Sequence, residues 1–350
     1  MYAPCFSWQS KYIYIIIVTY LTGADFSRIF NLAIAKNRGV CNMTKRICLL
    51  VGFHPKNQIS DYVVHYARAL AEVADVYYMA DCEMPATELE KLAPYTKGAW
   101  GYRHRKYDFG SWQELIQKLG WDTITQYDEC IFANDSVFAP IFPLKPIIEK
   151  GTRSSADSWA LNSFDKICFV SSFYVLKKPV LLHPDIQTFF NNIQPQPSVN
   201  EVIKLYERNL PRVIQGANFS CKVLIDWDQG AYSYWREFVL LGHPALKVAV
   251  FTRTCNEPEW ASDWRAFLRK NTDYPISLIE QHLRSLDIDP DSFNSLGKKI
   301  ASYWIKVSRI RQKMFRIHFH KGDNLILLFG ITLYASKENN LDKKAVLEKL

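Results

Sequence analysis

From residue 45 onward, short unbroken apolar runs take turns with segments of helical spacing. No other feature of the chain constrains its fold as much. RICLLVGF (46–53) is unbroken apolar sequence after Arg46, which suits a strand buried on both faces of a parallel sheet. SDYVVHYARALAEVA (60–74) follows a polar loop and reads as a helix, with Ser60 placed as N-cap and Val63, Tyr66, Ala67 and Leu70 recurring on one side. DVYYMA (75–80) predicts a second strand, ATELEKLAPY a short helix and GAWGYRH a third strand. GSWQELIQKLG reads as a helix with Ser111 as cap and Glu114 three residues on, and YDECIFA predicts the next strand. Strand and helix in alternation imply an α/β domain with a mostly parallel, Rossmann-like sheet and helices on both faces.

The strand in YDECIFA ends on three oxygen-bearing side chains, Asn134, Asp135 and Ser136, followed by Val137 and Phe138. Such residues close strands by bonding their own backbone. They also stand at the carboxyl end of a strand, where open α/β sheets hold their ligands. An unpaired carboxylate is costly beside so apolar a strand. Asp135 therefore has either a turn role or a site role.

The 350 residues allow one large domain or two ordinary ones, and 48% apolar with 22% charged residues is a globular balance. A net charge of +8 favours anionic partners such as nucleotides, phosphates and lipid head groups. No nucleic-acid motif accompanies it, so nucleic acid is not an expected partner. The eight cysteines form no CxxC pair, and several lie within apolar runs, the pattern of reduced, buried thiols. The chain divides by pattern into an amino-terminal extension (1–42), an α/β domain (43–255) and a mainly helical, basic carboxyl-terminal extension (256–350). YIYIIIVTYL (13–22) is only ten residues long, against about 20 for a spanning helix. The segment reads as an extension, a weak anchor or a misassigned start, since Met43 opens MTKRICLLVGF. LGKKIASYWIKVSRIRQKMFRIHFHK (296–321) reads as a helix with Lys and Arg opposite an apolar face. It is either a surface helix or a basic helix lying on an anionic membrane.

KYDFGSW (106–112) and YDECIFANDSVFAPIFPL (127–144) together resemble the rhamnan-synthesis protein F family of bacterial polysaccharide glycosyltransferases. GFHPKNQISDYVVHYARAL, DSWALN (157–162), SSFYVLKKPVL (171–181), SVNEVIKLYERNL (198–210) and YWREFVLLGHPALKV (234–248) follow in the family's order, over about 45–255. The order is also similar to that of family-2-like glycosyltransferases. The chain departs from the family at Ser158 and Ala160, beside Trp159, and at Val170 and Ser171.

The resemblance implies a GT-A-like fold and transfer of a sugar, rhamnose or a related deoxyhexose, from a nucleotide-sugar donor. The acceptor would be a lipid-linked glycan or a growing polysaccharide such as rhamnan or O-antigen. The expected location is cytoplasmic, peripheral at the inner face of the membrane. Transfer needs stabilisation of a leaving diphosphate, by a divalent metal such as Mg or Mn or by Lys and Arg, and a carboxylate to take the acceptor's proton. Asp135, with Asn134 and Ser136, stands where a metal-binding motif would. Arg103, His104, Arg105 and Lys106 supply positive charge instead. Asp108 and Gly110 precede a helix N-terminus suited to phosphate. His54 and Asp61 flank the end of the first strand, where a base would pack, and Lys247 would reach phosphate. The resemblance favours Asp157 or Glu207 as general base, with Asp226 and Asp228 as further candidates. Two rival readings stand beside this one. A dehydrogenase-like enzyme is disfavoured because GFHPKN stands where GxGxxG would. A non-catalytic, degenerate homologue acting as a membrane-surface or complex-forming subunit is the other.

Overall fold

The computed structural model describes residues 44–163, 170–225, 234–252 and 261–294, together with the backbone of three strands between 315 and 336. The first half follows the predicted alternation. β1 (Arg46–Gly52), β2 (Asp75–Ala80), β3 (Gly98–Gly101) and β4 (Glu129–Asn134) pair in parallel, with β1 between β2 and β4. β6 (Ser158–Ala160), β7 (Phe173–Lys177) and β8 (Cys221–Val223) extend this into a seven-stranded sheet of order β3-β2-β1-β4-β7-β6-β8. β7 runs antiparallel to both β4 and β6, while β6 and β8 pair in parallel. The sheet is thus largely parallel, with one reversed strand in its interior. That reversal follows from chain order: β6 is laid down one position out, and the chain turns back to fill the gap.

Alternate residues of β1 feed two separate cores, because successive side chains leave a strand on opposite faces. Cys48 and Leu50 pack with α1 (Asp61–Ala71), through Tyr62, Val63, Tyr66, Ala67 and Leu70. Ile47, Leu49 and Val51 pack with α2 (Tyr107–Leu119), through Phe109, Trp112, Leu115 and Ile116. Trp112 also donates its indole N–H to the Leu49 carbonyl at 3.0 Å, pinning α2 across the sheet. α3 (Leu144–Thr152) joins the first core, and α4 (Pro184–Asn191) and α5 (Leu210–Gly216) join the second. Cys48, Cys82 and Cys130 are buried free thiols, as expected, and Cys221 is a half-buried one.

Two helix starts differ from the sequence expectation. Ser60 does precede α1, but its hydroxyl faces His282 Nδ1 at 3.0 Å and caps no amide. α2 begins at Tyr107, four residues before the predicted cap, and Ser111 lies inside it with its hydroxyl on the Tyr107 carbonyl at 3.1 Å. A tertiary contact overrides the capping-box pattern here: Asp81 accepts the Tyr107 amide at 3.0 Å and fixes the start of the helix.

After α6 (Trp235–Leu240), the region past 256 is helical through α7 (Trp264–Asn271) and α8 (Ile276–Ser285). Trp264, Leu268, Ile279 and Leu283 of these helices belong to the first core. Most of the predicted basic helix lies outside the described residues. Its end does not continue as helix: Phe315–His320, Asp323–Leu328 and Ile331–Ser336 are strands β10, β11 and β12 of an antiparallel three-stranded sheet. FRIHFH alternates apolar and polar residues, and that period of two outweighs the helical reading.

Candidate active site

β4 is buried along its whole length and delivers Asn134, Asp135 and Ser136 to the carboxyl edge of the parallel strands. Asp135 adds one more bond to the ladder, its amide donating to the Val51 carbonyl at 2.9 Å. Its main chain is held from the other side by the Tyr62 hydroxyl, which donates to the Asp135 carbonyl at 2.7 Å. The carboxylate turns inward over the end of β1, where Oδ2 accepts the Phe53 amide at 3.1 Å. Gly52 makes room for it: a Cβ there would stand 2.2 Å from Asp135 Oδ2 and 2.6 Å from the Tyr78 hydroxyl. Removal from water pushes the Asp135 carboxyl up to about 7, and the charge of Asp108 adds to the rise against the Phe53 amide.

Asn134 ties this edge together. Its amide nitrogen donates to Asp108 Oδ2 and to the Ser171 carbonyl, each at 3.2 Å. Its amide oxygen accepts the Ser136 amide at 3.2 Å and the Ser136 hydroxyl at 2.6 Å. β5 (Val137–Phe138) then pairs with β9 (Leu246–Lys247), setting Val137 opposite Lys247. The Lys247 ammonium reaches the Ser136 hydroxyl at 3.3 Å.

Glu207 arrives from the second half of the chain. SVNEVIKLYERNL starts as a helix capped by Ser198 and widens into a π turn over Ile203–Glu207, with the Arg208 amide bonding to the Ile203 carbonyl at 2.9 Å. Such turns recur at functional sites because the extra residue re-aims a side chain. Here it aims Glu207 inward, and Glu207 Oε1 accepts the Ser171 amide at 2.7 Å. Burial raises the Glu207 carboxyl above its ordinary range, and Asp108 raises it further, against the Ser171 amide and Lys247. Asp108 is also raised, by burial, while bonds from Phe109, Ser171 and Asn134 and the charge of Lys247 pull it down. Asp108, Asp135, Glu207 and Lys247, drawn from four separate stretches, thus share one crevice edge.

The basic loop belongs to a neighbouring centre, organised by Asp81 at the end of β2. Asp81 Oδ1 accepts the His104 and Arg105 amides at 2.9 and 2.8 Å, and Oδ2 pairs with the Arg103 guanidinium at 3.2 Å. Arg105 and Tyr107 adopt left-handed backbone, φ 60° and 59°, on either side of this anchor. Arg103 lies over the exposed Phe53 ring, 5.3 Å from its centre, and Arg105 is exposed. His104 is held below its usual value, chiefly by burial.

Four expected site residues stand elsewhere or serve the fold. A Cβ on Gly110 would meet the Lys106 Cβ at 1.9 Å, so this glycine admits the preceding turn of its own helix rather than a ligand. His54 is buried beneath α8, its Nε2 3.4 Å from the Ser285 hydroxyl and its Nδ1 accepting the Lys56 amide at 3.2 Å. Asp61 is exposed in the first turn of α1, where it complements the helix dipole. Asp157 precedes β6 at the opposite edge of the sheet. Ser158 is level with Leu176, and Leu176 with Cys130, four residues before Asn134 and so about 13 Å back along the strands. Its carboxylate accepts the Ser220 amide and hydroxyl at 2.8 and 2.6 Å, bonds that hold it below its usual range. Asp226 and Asp228 lie outside the described residues.

Asn134, Asp135 and Ser136 do not fit a divalent cation as a set. The Asn134 oxygen already accepts two bonds from Ser136, and the Ser136 hydroxyl faces the Lys247 ammonium, whose charge repels a cation, which leaves Asp135 as the one anionic oxygen donor of the three. Among the described residues, no group of three or more His, Cys, Asp or Glu could hold a metal ion. Sequence reasoning passed over Asp81, which directly follows the second predicted strand, and Ser171, noted only as a departure from the family. Their importance lies in partners 22 to 37 positions away, which no local pattern announces.

A family model, rhamnan synthesis protein F, matches residues 76–321, and the chain belongs to that family. No curated protein matches the chain. Among solved structures, it is similar to the glycosyltransferase GlyE of Streptococcus pneumoniae TIGR4, with 12% identity and a TM-score of 0.34 over 70% of this chain and 64% of that one. It is also similar to mouse xyloside xylosyltransferase 1, with 9% identity and a TM-score of 0.30 over 55% of this chain and 90% of that one. The chain spans under two thirds of the pneumococcal protein. Among the described residues, no helix is long and apolar enough to cross a membrane.

Proposed function

We propose that the chain is a glycosyltransferase that moves rhamnose or a related deoxyhexose from a nucleotide-diphosphate donor to a growing cell-surface polysaccharide such as rhamnan or O-antigen. The observation that carries this reading is the convergence of Asp108, Asp135, Glu207 and Lys247 at the carboxyl edge of the parallel strands. Membership of the rhamnan synthesis protein F family supports the sugar-transfer class.

In this reading the acceptor oxygen attacks the anomeric carbon of the donor. The bond from that carbon to the diphosphate breaks, and its electron pair leaves with the phosphate oxygen. Lys247, with Arg103 and Arg105 of the neighbouring loop, offsets the charge that develops there. Glu207 takes the acceptor proton, because a carboxyl raised towards neutral pH is a stronger base than an ordinary one. Asp135 orients the donor at the mouth of the crevice. The net charge of +8 suits a site on an anionic cytoplasmic membrane face, where a lipid-linked acceptor would be met.

The test is a donor screen. The full chain is incubated with a panel of nucleotide-diphosphate sugars and lipid-linked acceptors, and products are identified by mass spectrometry. Transfer from a deoxyhexose donor, lost in Glu207→Gln, is the expected result. Donor binding in a thermal-shift assay with no product from any pair would replace this reading with a non-catalytic homologue.

A further inference from the structure

α8 closes over the loop that leaves β1, and two histidines meet at that contact. His54 follows the strand, and His282 lies in the last turn of α8. Both are buried, and their ring centres are 5.8 Å apart. The hydrogen bonds around His54 fix its state. Its Nδ1 accepts the Lys56 amide at 3.2 Å, so that nitrogen presents a lone pair and carries no proton. The Ser285 hydroxyl spends its proton on the His282 carbonyl at 2.7 Å, so towards His54 Nε2, 3.4 Å away, it can only accept. His54 is therefore the neutral tautomer with its proton on Nε2. His282 faces the Ser60 hydroxyl through Nδ1 at 3.0 Å, and its ring meets those of Tyr62 and Phe138 edge to face, at 4.7 and 5.7 Å between centres. The same Tyr62 donates its hydroxyl to the Asp135 carbonyl. One side chain thus carries α8 to the crevice edge. We propose that α8 is an acid-sensitive clamp on that edge: it holds Tyr62 against Asp135 while His54 and His282 are neutral, and it is released when the two imidazoles take up protons. His282 and Tyr62 are positioning residues in this arrangement.

A second proton on His54 has no acceptor. An N–H at Nδ1 would point at the Lys56 N–H, beside the turn that the Asn57 amide closes on the His54 carbonyl at 3.0 Å. Protons on both rings would also set two like charges side by side out of water. The groups around them give little relief. From the loop, Lys56 adds positive charge and pairs with Asp287 at 2.8 Å. Glu88 favours the charged His54, but its carboxylate is already engaged by the Ile59 amide and by Lys91, each at 2.7 Å. The Cys82 thiol takes the His54 amide. α1 brings Tyr62 and His65, the segment before α8 brings Tyr274, and the end of β4 brings Asp135, bonded to Tyr62 through its main chain. On α8 itself, Glu280 is paired with Arg265 and Arg284. Among the described residues, no carboxylate pairs with either ring. Burial accordingly holds both imidazoles below the ordinary 6.5, His282 at about 4, where the charge of His54 adds to the fall. The released form binds more protons than the clamped one, so the clamp is at full strength above about pH 6.5 and weakens as pH falls towards 4. That Asp135 works in the crevice rests on the proposed function, but the clamp does not.

Hydrogen–deuterium exchange of the full chain tests this, read by mass spectrometry and expressed as protection so that the intrinsic pH dependence of exchange drops out. Between pH 7 and pH 5 the protection of α8 should fall by about tenfold or more, and the peptide holding Asp135 should follow it. α5, which belongs to the second core, should change little. His54→Asn keeps an acceptor for the Lys56 amide, and His282→Phe keeps a ring against Tyr62 and Phe138. Neither new side chain takes up a proton. Each variant should remove part of the acid response, and the two together all of it, whereas a packing role alone would shift protection equally at both pH values. Protection of α8 that is the same at pH 7 and pH 5 in the wild type would overturn the proposal, whether or not the variants fold. So would a fall of equal size in α5 or in the double variant. A response of α8 that the Asp135 peptide does not share would overturn its hold on the crevice edge. The donor screen has no bearing on any of these outcomes.

Discussion

Asp81 and Asp135 end neighbouring parallel strands, one on each side of β1, yet they are opposite kinds of carboxylate. Asp81 is buried and fully engaged: three amides of the loop 104–107 and the Arg103 guanidinium converge on it. Asp135 takes one amide from another residue, Phe53, and faces the like charge of Asp108. The first arrangement spends its charge on holding backbone in place. The second leaves a charge underpaid at the crevice edge, which is where a protein can use a proton or a ligand. A saturated carboxylate builds the site, and an unsaturated one works in it.

The largest expected effect tests the first half of that contrast. Asp81→Ala leaves three amides without their acceptor and takes from the Arg103 guanidinium its carboxylate partner, leaving it the Asp81 backbone carbonyl. It should lower folding stability by about 3–5 kcal/mol, the range for breaking a buried charged network. Chemical denaturation measures this, and a loss below about 1 kcal/mol would show that the loop does not depend on Asp81.

Asp135→Asn tests the second half. The amide keeps an oxygen for the Phe53 amide and removes the charge, so the variant should fold normally. Transfer should fall about a hundredfold or more, roughly 3 kcal/mol of transition-state stabilisation. Near-wild-type transfer in a well-folded variant would return Asp135 to the role of a turn residue.

The same substitution has a pH signature. The Asp135 carboxyl lies at about 7 in the folded chain, against 3.8 ordinarily, so the folded state holds a proton that the unfolded state has released. Stability therefore falls as pH rises from about 4 to 7 and levels off above that. Asp135→Asn should remove this fall and be the more stable protein at pH 7.5, by on the order of 2 kcal/mol once residual contact with water is allowed for. Denaturation curves at pH 4.5 and 7.5 measure it. A gain that is equal at both pH values would mean that the carboxyl is not held uncharged by the fold.

The contrast between the two acids also marks what could be read from sequence. The apolar run of β1 and the helical spacing of α1 are local patterns, and both elements formed as read. The cluster at Asn134, Asp135 and Ser136 was visible because a polar triplet interrupts an apolar strand. Asp81 terminates a strand just as plainly, and nothing local tells the two apart. Their roles are decided by which amides and charges come to meet them, from 103–107 in one case and from Phe53 and Asp108 in the other. The reversed β7 was hidden for the same reason, since direction is set by where a strand docks and not by its own residues. Glu207 was favoured by the family resemblance alone, and it is the π turn that aims it inward.

The smallest expected effect comes from Asp157, which the family resemblance favoured, beside Glu207, as general base. Asp157 stands at the amino edge of the parallel strands, level with the beginning of β4. It bonds Ser220 twice and so ties β6 to the start of β8. Asp157→Asn keeps one acceptor and loses the charge, which should cost about 1 kcal/mol of stability, the net worth of a hydrogen bond to a charged group in partial contact with water. The sign of its pH dependence is opposite to that of Asp135. Its folded-state carboxyl lies below the ordinary value, so its contribution is present above the unfolded pKa and is lost as pH falls through the folded one. Transfer should be unchanged, because no atom of the crevice lies within reach. Transfer reduced a hundredfold in Asp157→Asn, with folding intact, would move the general base to the other edge of the sheet and dissolve the distinction between a structural and a working carboxylate on which the site is assigned.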